Sequence, residues 1–299
     1  MRSDRALERL GGVATTERLL RVTSRARLQL AVARGLVVRD ARGRYSLPGV
    51  DEALRAANRL SGVLVEDSAA QYLGWQLKHP PRSPCIAVPR NRHLTADRTA
   101  GVRVRFRDLD PDDVNGLATR PMETVLRCAA WMPFDEALVV ADDALRSGSV
   151  IQEELVCRAH LEPVRFRSRC VRVAEAADVR AENAFESVLR AIALSVPGLH
   201  VEPQVWLGDI GRPDLVDQQL GIVVEADSFE FHGRRRALKL DCERYNAFVV
   251  DGWLVIRFAW EHVMFRPDYV RSVLAALVAR LSGQPLGHAL GPAAQRRSA

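Results

Sequence analysis

Lysine is nearly missing from this chain: of 43 basic residues only Lys78 and Lys239 are lysine, and the rest are arginine. Arginine abundance alone therefore says little about partners; where the charge sits says more. No run of about 18 apolar residues is present, which excludes a membrane-spanning helix. The opening residues MRSDRALERL hold no apolar signal core, so a cytoplasmic protein that does not enter membranes is expected. The cysteines, at 85, 128, 157, 170 and 242, form no Cys-x-x-Cys and leave an odd one in any pairing. Neither a disulfide framework nor a zinc knuckle is indicated, and buried free thiols are expected.

What is present is the composition of an ordinary globular protein: 299 residues, 47% hydrophobic and 27% charged, long enough for two or three domains. The net charge of +6 is unevenly placed. Residues 1–60 carry 13 Arg against 6 Asp or Glu, whereas the remainder carries 30 basic and 31 acidic residues. The whole excess is N-terminal, which is the electrostatic footprint of a nucleic-acid-binding module on a nearly neutral body.

Residues 5–10 can form a short helix ended by Gly11-Gly12, Thr15 or Thr16 can cap a second, and Thr23 or Ser24 a third running to Arg34. Leu36–Arg39 and Arg44–Leu47 alternate around a turn at Asp40–Gly43. Three short helices and a basic hairpin make a winged helix-turn-helix, with double-stranded DNA as its partner. The third helix would enter the major groove, and Arg25, Arg27, Arg42 and Arg44 are the candidate DNA contacts; a module used only for protein contacts is the alternative. With Gly43, Tyr45, Leu47 and Pro48 as its ending, the segment resembles the AbiEi-type antitoxin winged helix. That resemblance implies a transcriptional autorepressor with a cognate toxin, and a palindromic recognition site would imply a homodimer.

Residues 49–60 read as a linker. Beyond them a helix over 69–74, a strand at Ile86–Val88, and helices over 121–131 and 134–146 are predicted. Val102, Val104 and Phe106 alternate with Arg103, Arg105 and Arg107, either an exposed edge strand or a nucleic-acid surface. Arg165–Val179 reads as a charged connection. This α+β stretch, 49–175, resembles the middle region that accompanies AbiEi-like winged helices.

The most informative stretch is Arg212–Gly233. Pro213–Val216 and Leu220–Val224 are apolar runs around a polar Asp217-Gln218-Gln219 turn, and the second run breaks into Glu225-Ala226-Asp227. Period-2 alternation puts Glu225 and Asp227 on one face, with Asp214 on the neighbouring strand. Three acids packed so closely repel one another unless a hard divalent cation lies between them, so Asp214, Glu225 and Asp227 are the candidate metal ligands and Mg2+ (or Mn2+) the expected cofactor. A helix with the stripe Phe185, Val188, Leu189, Ile192 and Ala193 precedes this hairpin, as does a strand over 201–207. A helix over 234–250, a strand over 252–258 and a closing helix over 268–281 follow.

Pro213-Asp214 and Glu225-Ala226-Asp227 resemble the PD-(D/E)xK nuclease core in its very-short-patch-repair-like branch, with Asp227 where a lysine is usual. The resemblance covers about residues 181–280. It implies a restriction-endonuclease-like αβββαβα core and a Mg-dependent endonuclease acting on DNA, in defence or repair. It also implies an acid on the first helix, Glu186 with Glu182 as competitor, and a role for His232 as general base or leaving-group stabiliser. Lys239 could bring the missing ammonium from the next helix, or pair with Glu243 on the helix surface; Arg235 and Arg236 are candidate phosphate contacts. The expected α/β architecture is a winged helix-turn-helix (1–48), the middle region (49–175), the nuclease-like domain (176–282) and a loose tail (283–299). A core that has lost catalysis and serves an antitoxin is the alternative.

Overall fold

The computed structural model describes residues 1–227 and 235–283. His232 and the expected tail from residue 284 lie outside the described residues. Helices and short strands make a mixed α/β chain that divides into two units: 1–75 with 79–131, and 76–78 with 132 onward. The expected middle region is thus shared between them.

The first unit opens with α1 (Ser3–Arg9), β1 (Val13–Thr15), α2 (Thr16–Leu20), α3 (Arg25–Ala33), β2 (Val38–Ala41) and β3 (Arg44–Ser46). Of the alternative caps, Thr15 accepts from the Arg18 amide at 3.2 Å and Ser24 from the Arg27 amide at 3.3 Å. β1, too short to register as a periodic run, joins the hairpin in an antiparallel sheet of order β1-β3-β2. Leu7, Leu19, Leu28, Ala31 and Val37 fill the core beneath.

The expected linker is instead a helix, α4 (Glu52–Leu60), because Asp51 caps it by accepting from the Ala53 amide at 2.8 Å and Ala56, Ala57 and Leu60 bury one face. Asn58 donates to the Tyr45 carbonyl at 3.1 Å and Arg55 to Asp40 at 2.9 Å, so α4 is tied to the hairpin. Next come β4 (Val63–Leu64), α5 (Glu66–Tyr72), β5 (Cys85–Val88), α6 (Ala96–Thr99), β6 (Arg103–Phe106), β7 (Val114–Asn115), β8 (Ala118–Thr119) and α7 (Pro121–Trp131). The strands make a mixed sheet of order β6-β5-β4-β8-β7. The three arginines around β6 all meet carboxylates: Arg103 with Asp67 and Arg105 with Glu66 at 2.6 Å, Arg107 with Glu123 at 3.5 Å. A nucleic-acid surface would need them free.

The second unit holds α8 (Phe134–Arg146), α9 (Gln152–Leu161), α10 (Val164–Ala176), α11 (Ala184–Ala193), β9 (Glu202–Pro203), β10 (Leu215–Asp217), β11 (Ile222–Asp227), α12 (Arg235–Val250), β12 (Leu254–Ala259), α13 (Trp260–Phe265) and α14 (Pro267–Leu281). α10 replaces the expected connection, its exposed arginines offset by Cys170, Val173 and Ala174 on the buried side. The sheet order is β12-β11-β10-β9, with β11 and β12 parallel across α12 and the other pairs antiparallel. Alternation gives it two packed faces. Leu215, Ile222, Val224 and Phe258 meet α11, α13 and α14, while Val216, Val223 and Val255 meet Phe248 of α12.

Asp217, expected in the polar turn, ends β10 fully buried and accepts from the Gln219, Leu220 and His200 amides at 3.0, 2.9 and 2.7 Å. It holds the hairpin closed. The expected strand over 201–207 shortens to two residues because Gln204 takes a left-handed backbone, φ 57°. Cys85, Cys128 and Cys170 are buried free thiols as expected, but Cys157 and Cys242 are exposed. Among the described residues no helix is long and apolar enough to cross a membrane.

Candidate active site

Asp214 stands just before β10 and Glu225 near the end of β11, on the sheet face that α12 covers. Antiparallel pairing of Leu215 with Val224 sets the two acids side by side. Asp214 accepts from the Ala226 amide at 2.7 Å. Glu225 is buried, and its Oε1 has no hydrogen-bond partner among the described residues. Burial and the neighbouring Asp214 carboxylate push Glu225 up to about 8; burial raises Asp214 as well.

The third acid comes from α11. Asn183 caps that helix by accepting from the Phe185 and Glu186 amides at 2.9 and 3.0 Å, and its amide group donates back to Glu186 Oε1 at 2.6 Å. Glu186 Oε2 accepts from the Glu182 amide at 2.9 Å and from Gln204 Nε2 at 3.0 Å. Burial and Asp214 push Glu186 up to about 7. Its competitor Glu182 turns outward to an ion pair with Arg212.

Gln204 is the residue that sequence reasoning missed. Buried, it bridges Glu186 and, at 3.3 Å, Asp214, while its backbone amide donates to the Asp214 carbonyl at 3.1 Å. A left-handed backbone at a non-glycine residue is strained, and such strain gathers at functional sites. No periodicity announces it.

Asp227 does not join the pair. Arg257, on the adjacent strand, forks onto it at 2.6 and 2.7 Å and stacks over the Tyr245 ring at 3.8 Å. Lys239 is exposed and faces Glu243 at 3.5 Å, so no ammonium reaches the acids from α12 by that route. What α12 does bring is Arg244, whose Nη2 lies 3.4 Å from Glu225 Oε1. Arg235 and Arg236 open α12, and their side chains lie outside the described residues, as does His232.

Among the described residues no three His, Cys, Asp or Glu side chains are arranged as a metal-binding group. The expected trio is a pair plus a neutralised third. That pair still suits a hard cation: magnesium is commonly held by one or two carboxylates, with water and substrate phosphates completing its shell. Glu225 Oε1, which faces Arg244 at 3.4 Å and makes no hydrogen bond among the described residues, is a donor such an ion could use.

In the first unit, Arg25 and Arg42 are exposed on either side of a groove of about 630 Å³ between α3 and the hairpin, lined also by Gln29, Arg39 and Tyr45. Arg27 is exposed and reaches the Met1 carbonyl at 3.5 Å. Arg44 is half-buried and donates to Ser61 at 2.5 Å.

No family profile matches the chain, and no curated protein matches it. Among solved structures, that of the RV2827C protein from Mycobacterium tuberculosis is similar at 19% identity and a TM-score of 0.37, over 58% of this chain and 75% of that one. A likeness so distant carries no argument about fold or function.

Proposed function

We propose that the second unit is a Mg- or Mn-dependent phosphodiesterase of the PD-(D/E)xK type and that α1–α3 with the β2–β3 hairpin form a winged helix that binds double-stranded DNA. The observation that carries the first part is the Asp214–Glu225 carboxyl pair, half-buried at Asp214 and buried at Glu225, with Glu186 joined to it through Gln204. Isolated burial of such a set is unfavourable, and a divalent cation relieves it. Asp214 and Glu225 would hold the ion. A bound divalent ion lowers the pKa of its water and polarises a phosphoryl oxygen. Glu186 is poised near neutral pH, where a side chain can take up or give back a proton, and Gln204 fixes its orientation.

The helix order, the hairpin and the groove rimmed by Arg25, Arg39 and Arg42 support the winged-helix reading. Cleavage of supercoiled and linear DNA with Mg2+, Mn2+ or chelator tests the enzyme; activity that needs metal and disappears in Asp214→Ala supports it, and no cleavage under any of these conditions refutes it. Arg25→Ala and Arg42→Ala should each weaken DNA binding and reduce the slope of log affinity against log salt by about one unit. An unchanged slope in both would remove the DNA contact from this face.

The Arg257 fork on Asp227 favours a second reading, a DNA-binding antitoxin or autorepressor whose nuclease-like domain has lost catalysis, since the residue in the usual lysine position is neutralised. Protection of the protein's own promoter in a footprint, without cleavage, is what it requires.

A further inference from the structure

Two arginines approach the acids, and they are held very differently. Arg257 is locked onto Asp227 by two contacts of 2.6 and 2.7 Å and onto the Tyr245 ring. Arg244 meets Glu225 at 3.4 and 3.5 Å, its Nε is buried without a hydrogen-bond partner among the described residues, and its stem lies 3.7 Å from where a side chain on Gly211 would begin. A guanidinium carries five donors in a fixed fork. Here Nε is unused and the guanidinium lies 5.5 Å from the Tyr245 ring, against 3.8 Å for Arg257.

We propose that Arg244 is a displaceable counter-ion: it covers Glu225 in the metal-free protein, gives way when a divalent cation takes the Asp214–Glu225 pair, and then binds a phosphate oxygen of the nucleic-acid backbone. The proposal rests on the reading that this site binds a divalent cation and a phosphodiester. Two cations at one carboxylate repel each other, so the metal and the guanidinium compete for Glu225. A displaced guanidinium beside a metal-bound phosphodiester finds the anion whose geometry its fork matches. Arg257 cannot take this part without stripping Asp227. Metal binding would thereby prepare the site for its anionic ligand, and a merely structural ion pair would not.

The test is calorimetric titration of Mn2+ into the full-length wild type, Arg244→Gln and Arg244→Lys, followed by duplex-DNA affinity of each at saturating Mn2+. Arg244→Gln removes the competing charge and should bind Mn2+ about tenfold tighter, while its DNA affinity at saturating Mn2+ falls about tenfold through the lost charge-assisted contact. Arg244→Lys keeps the charge and should hold wild-type Mn2+ affinity with DNA affinity between the two. Opposite shifts in metal and DNA affinity are the signature, and general destabilisation would lower both. Mn2+ affinity that is unchanged or weaker in Arg244→Gln, with the wild type binding normally, overturns the proposal alone. A wild type that binds no Mn2+ overturns the site reading with it.

Discussion

Asp142 and Glu225 are both buried acids of the second unit, and each faces an arginine. Asp142 takes two contacts from Arg190 at 2.6 and 2.7 Å, a hydroxyl from Ser187 at 2.6 Å and the Asp178 amide at 2.9 Å. Glu225 has Arg244 at 3.4 Å and, among the described residues, one oxygen with no hydrogen bond. The first set joins α8 to α11 and leaves the carboxylate fully partnered, as a buried charge kept for architecture must be. The second leaves binding capacity unused beside another acid. Burial alone does not separate the two acids; the state of their lone pairs does.

The sharpest way to break this comparison is to remove one partner of the Asp142 carboxylate. Arg190→Ala leaves Asp142 buried and uncompensated and should destabilise the protein by about 3–5 kcal/mol in chemical denaturation. A loss below about 1 kcal/mol would mean that the network contributes little. The same α11 carries Glu186, so metal response should weaken alongside stability in this variant.

Glu225 should behave in the opposite sense. Below pH 4.5, the ordinary glutamate value, both states hold its proton; as pH rises the unfolded chain releases it first, while the folded protein keeps it to about 8. Metal-free stability therefore falls across that window and levels off above it, with Glu186 adding to the fall up to about 7. Glu225→Gln, neutral at every pH, should match the wild type at pH 4 and melt higher at pH 8.5. A wild type that gains stability over this range would contradict the assignment.

A smaller effect is expected at Gln204, whose amide joins two of the acids. Gln204→Ala loses that bridge and keeps the left-handed backbone, and should cost about 1–2 kcal/mol. Gln204→Gly loses the same bridge but suits φ 57° and should cost less. Equal losses in the two would show that backbone strain is not part of the site.

Much of this site was readable in the sequence because its parts are local. Asp214 and Glu225 lie 11 residues apart on a hairpin, so alternation and one turn bring them together. Asp227 was misplaced for the converse reason: Arg257 lies on a parallel strand beyond α12, in register with Glu225, and nothing near Asp227 announces it. Gln204 escaped because its role depends on a backbone angle. α4 and α10 were hidden by their arginines, although Phe166, Cys170, Val173, Ala174 and Ala177 repeat at helical spacing and could have revealed the second. On α12 helical spacing offers Leu238, Cys242, Tyr245 and Val249 as a stripe, but Cys242 and Val249 are exposed and Phe248 fills the face.

The central claim, that Asp214 and Glu225 form an incomplete cation site, is tested most directly by melting wild type and Asp214→Asn at pH 8 with and without Mg2+. Without metal the mutant has one charge fewer in the pair and should melt higher. With metal the wild type should rise, by an amount equivalent to about 2.7 kcal/mol at a hundredfold excess over Kd, and the mutant much less. A mutant that melts lower without metal and keeps the full response to Mg2+ would contradict the account, because Asp214 would then be a structural acid and the ion would bind elsewhere.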